Sequence, residues 1–265
     1  MRLLAVSDLH VRQAQNRAFV EKIAPAANDW LVLGGDLGES EDDLRFVFDT
    51  LAPRFAKLVW VPGNHELWAM DHLRGEAKYQ RLVEVSREYG VLTPEDPYPA
   101  WPDDPKLVIA PLFLLYDYSF CPDDVTDPIA WAAEDGIRCA DEILLRPDPY
   151  PSRTAWCHAR VEATAARLDA LPADTSTILV NHFPLRQAHA RLPLVPRFSI
   201  WCGTRKTENW HKQYRAKAVV FGHLHIRQER VVDGVRFHEV SLGYKRQWNP
   251  DYAERYVRQV WPHVD

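Results

Sequence analysis

Five short apolar runs in this 265-residue chain each end on a turn carrying side chains that bind metals. Leu3 to Val6 leads into Ser7-Asp8-Leu9-His10, and Trp30 to Leu33 leads into Gly34-Gly35-Asp36. Lys57 to Val61 leads into Pro62-Gly63-Asn64-His65-Glu66. Thr177 to Val180 ends at Asn181-His182, and Ala218 to Phe221 ends at Gly222-His223-Leu224-His225. Helical patterns at Asn16 to Ala26 and Glu41 to Leu51 separate the first three runs. That β-α-β-α-β order demands parallel strands joined by right-handed crossovers. Ligands of open α/β sheets gather beyond the carboxyl ends of the strands, where these polar turns fall.

The rest of the chain extends this α/β pattern. Glu76 to Tyr89 reads as a helix stopped by Gly90, and Ala155 to Leu171 as another. Lys106 to Leu115 reads as a strand, and Asp233-Gly234 marks a hairpin between Arg230 to Val232 and Val235 to Val240. Residues 116–153 are rich in Pro and Asp and are expected to form a loop-rich insertion, with a short helix near Ile129 to Leu144. No boundary divides the chain, so one domain over residues 1–265 is expected.

Charge and length exclude several classes. A net charge of −5 without a Lys/Arg tract argues against a duplex nucleic-acid binder or an anionic-membrane binder. No apolar stretch approaches membrane-spanning length, and Leu3 to Val6 is too short for a signal peptide. Cys121, Cys139, Cys157 and Cys202 lack zinc or redox spacing, which predicts reduced thiols and a cytoplasmic protein.

A lone histidine at a strand end is more often structural than a ligand. Independent coincidences at five strand ends multiply, however, so the joint pattern points to metal. Imidazoles mixed with carboxylates and an amide suit Mn, Fe or Zn better than an all-oxygen Mg or Ca site. Two such ions about 3.5–4 Å apart can clamp a phosphoryl group and acidify a water. Gly35, Gly63 and Gly222 allow close backbone approach. Glu66 reads as a carboxylate supporting the ligands or a helix start. His72, His158, His189, His211, His238 and His263 lack motif context, with a reservation for His211.

On these motifs the chain resembles the calcineurin-like metallophosphoesterase superfamily. The resemblance implies a four-layer αββα sandwich of two mixed sheets. It implies Asp8, His10 and His225 on one metal, Asn64, His182 and His223 on the other, and Asp36 bridging. His65 would stand beside the substrate without binding metal, as a catalytic residue that protonates the leaving oxygen or stabilises its charge. Further stretches, among them Trp60 to Trp68, Phe113 to Phe120, Phe198 to Thr204 and Gly234 to Tyr244, resemble the actinobacterial 4′-phosphopantetheinyl hydrolases. That group removes the phosphopantetheine arm from holo acyl carrier protein. Tyr116, Tyr118, Phe183, Trp201, Trp210 and His211 are candidates to line a groove for the arm. Arg205, Lys206 and Arg215 are candidates to meet an acidic carrier protein. The competing readings are a phosphomonoesterase or nucleotide phosphodiesterase acting on small phosphate esters, and a non-catalytic scaffold of the same architecture.

Overall fold

The computed structural model describes residues 1–263. Its strands are β1 (Leu3–Val6), β2 (Ala26–Leu33), β3 (Phe55–Trp60), β4 (Ala100–Trp101), β5 (Asp104–Pro111), β6 (Ser176–Val180), β7 (Ala216–Phe221), β8 (Gln228–Val232), β9 (Val235–Glu239) and β10 (Arg258–Trp261). The α-helices are α1 (Ala14–Lys22), α2 (Glu41–Leu51), α3 (Gly75–Glu88), α4 (Pro128–Glu134), α5 (Asp141–Leu144), α6 (Arg153–Asp169) and α7 (Trp210–Gln213).

The strands form two mixed sheets, ordered β10-β1-β2-β3 and β4-β5-β6-β7-β9-β8. In the first, β1, β2 and β3 are parallel and β10 is antiparallel. In the second, β5, β6, β7 and β9 are parallel, with β4 and β8 antiparallel at the edges. Side chains alternate across a strand, so each sheet offers two faces. Leu3, Ala5, Val32 and Val59 of the first sheet meet Ile109, Ile178, Val180 and Val220 of the second in one dry layer. The opposite faces, with Val6, Leu31, Leu33 and Trp60, pack against Phe19 of α1, Val47 and Phe48 of α2, and Tyr79 and Leu82 of α3. Leu179, Val219 and Phe221 share that cluster with Trp156, Val161 and Leu168 of α6. The expected four-layer α/β sandwich is therefore present.

Register brings the polar turns level. Val6 pairs with Leu33 and Leu33 with Trp60, so the turns at Asp8, Asp36 and Asn64 leave the first sheet side by side. Val180 pairs with Val220, which does the same for His182 and His223. A parallel bridge between Ser7 and Ser241 joins the two sheets at this end. Ser40 starts α2 just after the Asp36 turn: its side chain accepts from the Asp43 N–H while Asp43 accepts from the Ser40 N–H.

Several boundaries move. The expected strand to Leu115 ends at Pro111, and β2 begins four residues before Trp30. The helix expected near Ile129 to Leu144 is two, α4 and α5, broken after Glu134.

Candidate metal centre

Asp8, His10, Asp36, Asn64, His182, His223 and His225 converge where the two sheets meet. Ligand-capable atoms of Asp8, His10 and His225 lie within 4.8 Å of one another, as do those of Asp36, His182 and His223. A third group of this kind joins His10, Asp36 and His65. The backbone is strained at these positions. Eight non-glycine described residues have positive φ, and five of them are Asp8, His10, Asp36, His223 and His225. Such conformations cost energy and persist only where the surroundings enforce them. A side chain at Gly63 would collide with Asp36, and one at Gly222 with Ser7 and Asp8, so both turns require glycine.

Hydrogen bonds aim the candidate ligand atoms. The Ser7 and Ser241 hydroxyls donate to Asp8 Oδ2 at 2.5 and 2.7 Å, and the His223 N–H donates to the same carboxylate. The Tyr244 N–H donates to Gln247 Oε1 at 2.7 Å, which fixes that amide. His225 Nδ1, also 2.7 Å from Gln247 Oε1, must then carry the proton. Its Nε2 faces Asp8 Oδ1 at 3.0 Å and His10 Nε2 at 3.2 Å. His182 Nδ1 donates to the Gly34 carbonyl at 2.9 Å, which leaves Nε2 pointing inward. Behind the turns, Glu66 accepts from the N–H groups of Asp36, Leu37 and Gly63 at 2.8–2.9 Å. Asn16 likewise donates to the Leu9 and Gly243 carbonyls.

The fit to metal ions rests on atoms that lack partners. Asn64 Oδ1, His182 Nε2 and His223 Nε2 are buried and accept no hydrogen bond from any described residue. Buried acceptors are rarely left so; His182 and His223 share one group with Asp36, and Asn64 lines the same cavity as His223, a set that matches the needs of a cation. Electrostatics agree. Burial holds His10 and His223 down at about 3, so both are neutral lone-pair donors. Burial also opposes charge on His182, yet Asp36, with Asp8 and Glu66, lifts it to about 10. The carboxylates thus draw in positive charge, which a metal supplies with greater density than a proton. Burial and the charge on Asp36 push Glu66 up to about 7.

His65 is 3.6 Å from Glu39 Oε1, beyond a hydrogen bond, and 3.9 Å from Asp36 Oδ2. Burial would lower it, but Asp36 and Glu39 raise it above the ordinary histidine range. Its ring lies against Trp68 with centroids 3.7 Å apart and planes tilted by 31°. The cavity of about 370 Å³ over the cluster is walled by Trp68, Arg138, Leu192, Val195, Phe198 and Tyr244, among others.

The expected groove residues are not in that wall. Tyr116, Phe183, Trp201, Trp210 and His211 are buried in the core, because aromatic area at these turns is spent on packing. Tyr118 instead bonds Glu142 and Arg153. His211 meets Asp233 at 2.9 Å, and His158 meets Asp117, both outside the cluster. Arg205 is tied to Asp123 and to the Cys121 carbonyl, and Arg215 to the Thr175 carbonyl. Sequence reasoning missed Asp141, Gln247 and Asn16, which aim or brace the turns from distant segments. Of the residues walling the cavity, Trp68, Phe198 and Tyr244 lay in stretches already singled out.

Residues 1–227 match the calcineurin-like phosphoesterase family. The chain is 46% identical over 269 aligned residues to the acyl-carrier-protein phosphodiesterase PptH of Mycobacterium tuberculosis, covering 98% of this chain and 83% of that one. It is likewise similar to the crystal structure of that phosphopantetheinyl hydrolase, with a TM-score of 0.94 over 99% of this chain and 96% of that one. A two-sheet sandwich with metal-ligand residue types at its strand ends, matched over most of its length at this identity, leaves one conclusion: the chain belongs to the calcineurin-like phosphoesterase family.

Proposed function

We propose that this protein is a two-metal phosphodiesterase that removes 4′-phosphopantetheine from holo acyl carrier protein. The observation carrying the metal reading is the trio of buried, unpartnered acceptors on Asn64, His182 and His223 beside the Asp8–His10–His225 cluster. The substrate comes from the relative named as an acyl-carrier-protein phosphodiesterase. Asp8, His10 and His225 would hold one ion, Asn64, His182 and His223 the other, and Asp36 would serve both. Mn, Fe or Zn suits these donors. When bound, such ions neutralise phosphoryl charge and acidify water.

The chain's own groups do the rest. His65, raised by its carboxylate neighbours, holds a proton for the departing serine oxygen of the carrier protein. The phosphorus–oxygen bond to serine breaks, serine leaves with that proton, and the arm keeps its phosphate with an oxygen from water. Trp68 holds the His65 ring by lying against it. Leu192, Val195 and Phe198 make one wall of the cavity apolar.

The mouth supports an acidic partner. Arg138 lines the cavity, Lys245 and Arg246 lie between its wall residues Tyr244 and Gln247, and Arg191 precedes Leu192. All four cations are exposed and form no ion pair with a described residue. Nearby carboxylates are already matched, Asp123 by Arg205, Glu208 by Arg186 and Glu134 by Arg197. An unmatched cationic rim on a chain of net charge −5 fits an acidic carrier protein. No helix among the described residues is long and apolar enough to cross a membrane, and four free cysteines suit the reducing cytoplasm.

Mass spectrometry of purified holo acyl carrier protein, incubated with this protein and manganese, tests the reading. Loss of the phosphopantetheine mass, leaving the apo form, is expected. An unchanged carrier protein alongside turnover of an aryl phosphate would move the substrate to nucleotides or small phosphate esters.

A further inference from the structure

Residues 116–153 carry no ligand of the metal cluster, yet one of their side chains reaches its back. Asp141, in the first turn of α5, is fully buried. Its Oδ1 accepts from Asn64 Nδ2 at 3.0 Å and from Trp68 Nε1 at 2.7 Å, and its Oδ2 accepts from the Tyr116 hydroxyl at 3.0 Å. α5 is also clamped to the turn that bears Asn64 and His65: the Ala69 N–H donates to the Leu144 carbonyl at 2.8 Å, and Trp68 bridges to Leu145.

We infer that Asp141 is a positioning residue of the metal centre, fixing the Asn64 amide with its oxygen toward His182 and His223 and fixing the Trp68 indole against which His65 lies. The two ends of a side-chain amide have nearly the same shape, so packing does not choose between them. The Trp68 indole can only donate, so Asp141 Oδ1 is an acceptor and takes the NH2 end. Asn64 Oδ1 is then left buried and without a partner among the described residues. Without the Asp141 acceptor, rotation of the amide would turn hydrogens toward the ion. The same oxygen holds Trp68, whose ring lies 3.7 Å from that of His65. One carboxylate thus sets a ligand atom and a proton donor together.

This inference rests on the two-metal reading, and the test separates the two. Metal-free protein is titrated with Co²⁺ and followed by calorimetry and by the visible absorption of bound cobalt. Wild-type protein is expected to take two ions; uptake of none or one would sink the two-metal reading itself. Asp141→Leu removes the acceptor at similar volume. It is expected to weaken one site at least about tenfold, leave the other in place, and lower kcat on an aryl phosphodiester with little change in KM. Asp141→Asn keeps an oxygen for Asn64 and Trp68 and turns its NH2 to the Tyr116 oxygen, so both sites and the cobalt spectrum are expected to survive. Tyr116→Phe, which leaves Oδ1 untouched, is expected to bind cobalt as wild type does. A folded Asp141→Leu protein with two wild-type cobalt sites overturns the inference. So does a tenfold loss in Asp141→Asn, which would make the charge, not the acceptor geometry, the cause; that loss overturns the inference even if the leucine protein does not fold.

Discussion

Asp36 sits at φ 52° beside a glycine at φ 88°, buried, with its Oδ1 already accepting the His65 N–H at 2.9 Å. Its other oxygen faces His182 at 3.4 Å without a hydrogen bond. A carboxylate in that place offsets repulsion between two cations, and an amide of the same shape does not. Asp36→Asn is therefore expected to lose bound metal by elemental analysis and nearly all turnover; retention of both would unseat the assignment. His65 differs in kind, because its nitrogens sit at the edge of the cluster and its proton is stabilised by Asp36 and Glu39. His65→Ala should keep wild-type metal content and lose about 10²–10⁴-fold in turnover. Collapse of the metal content would instead make His65 a ligand, as its proximity to His10 and Asp36 permits.

At the scale of elements, the site is a set of turns held level by strand register and pinned from behind. Glu66 is the main pin, because three N–H groups from the Asp36 and Gly63 turns end on its carboxylate. Truncation would strand buried donors at roughly 1–3 kcal/mol apiece. Glu66→Ala is thus expected to lose several degrees of melting temperature and to bind metal less tightly, while Glu66→Gln, which keeps one oxygen, should lose less; calorimetric melting with and without manganese measures both. The strand ends could be read from sequence because parallel strands buried on both faces are unbroken apolar runs, and the candidate ligands follow within a few residues. What could not be read lay in long-range pairing. Asp141 meets Asn64 across 77 residues, and Asn16 meets Gly243 across 227. The apolar stretch Phe113 to Leu115 looked like more strand because it is buried, but its burial comes from the core around it and not from ladder pairing. The start of β2 was hidden for the opposite reason: Asn28 and Asp29 are polar, and the ladder to β3 slips between Ala26 and Trp30.

For the molecule as a whole, two buried histidines outside the candidate metal cluster tie stability to pH. His189 is packed between the rings of Phe221 and Phe237, and neither of its nitrogens has a partner among the described residues. Burial, with Arg186 and Arg230 adding to it, holds it down at about 4. His238 is held down at about 4 as well, by burial that outweighs the pull of Glu229. A histidine depressed in the fold stays neutral there while the unfolded chain takes up its proton near 6.5. Each therefore stabilises the fold fully above that value and loses its contribution as pH falls from about 6.5 to about 4, by up to about 3 kcal/mol apiece. Below 4 both states are protonated and the slope vanishes. Metal release also destabilises the fold on acidification, since ligands must be deprotonated to bind. Comparison of metal-free proteins isolates the histidines. Urea unfolding of metal-free wild type and His189→Leu between pH 4 and 7 should show the variant losing about one proton's worth of slope, near 1.4 kcal/mol per pH unit around pH 5. Parallel curves for the two proteins would mean that His189 is charged in the fold and that the cluster of Phe221 and Phe237 admits a partner for it.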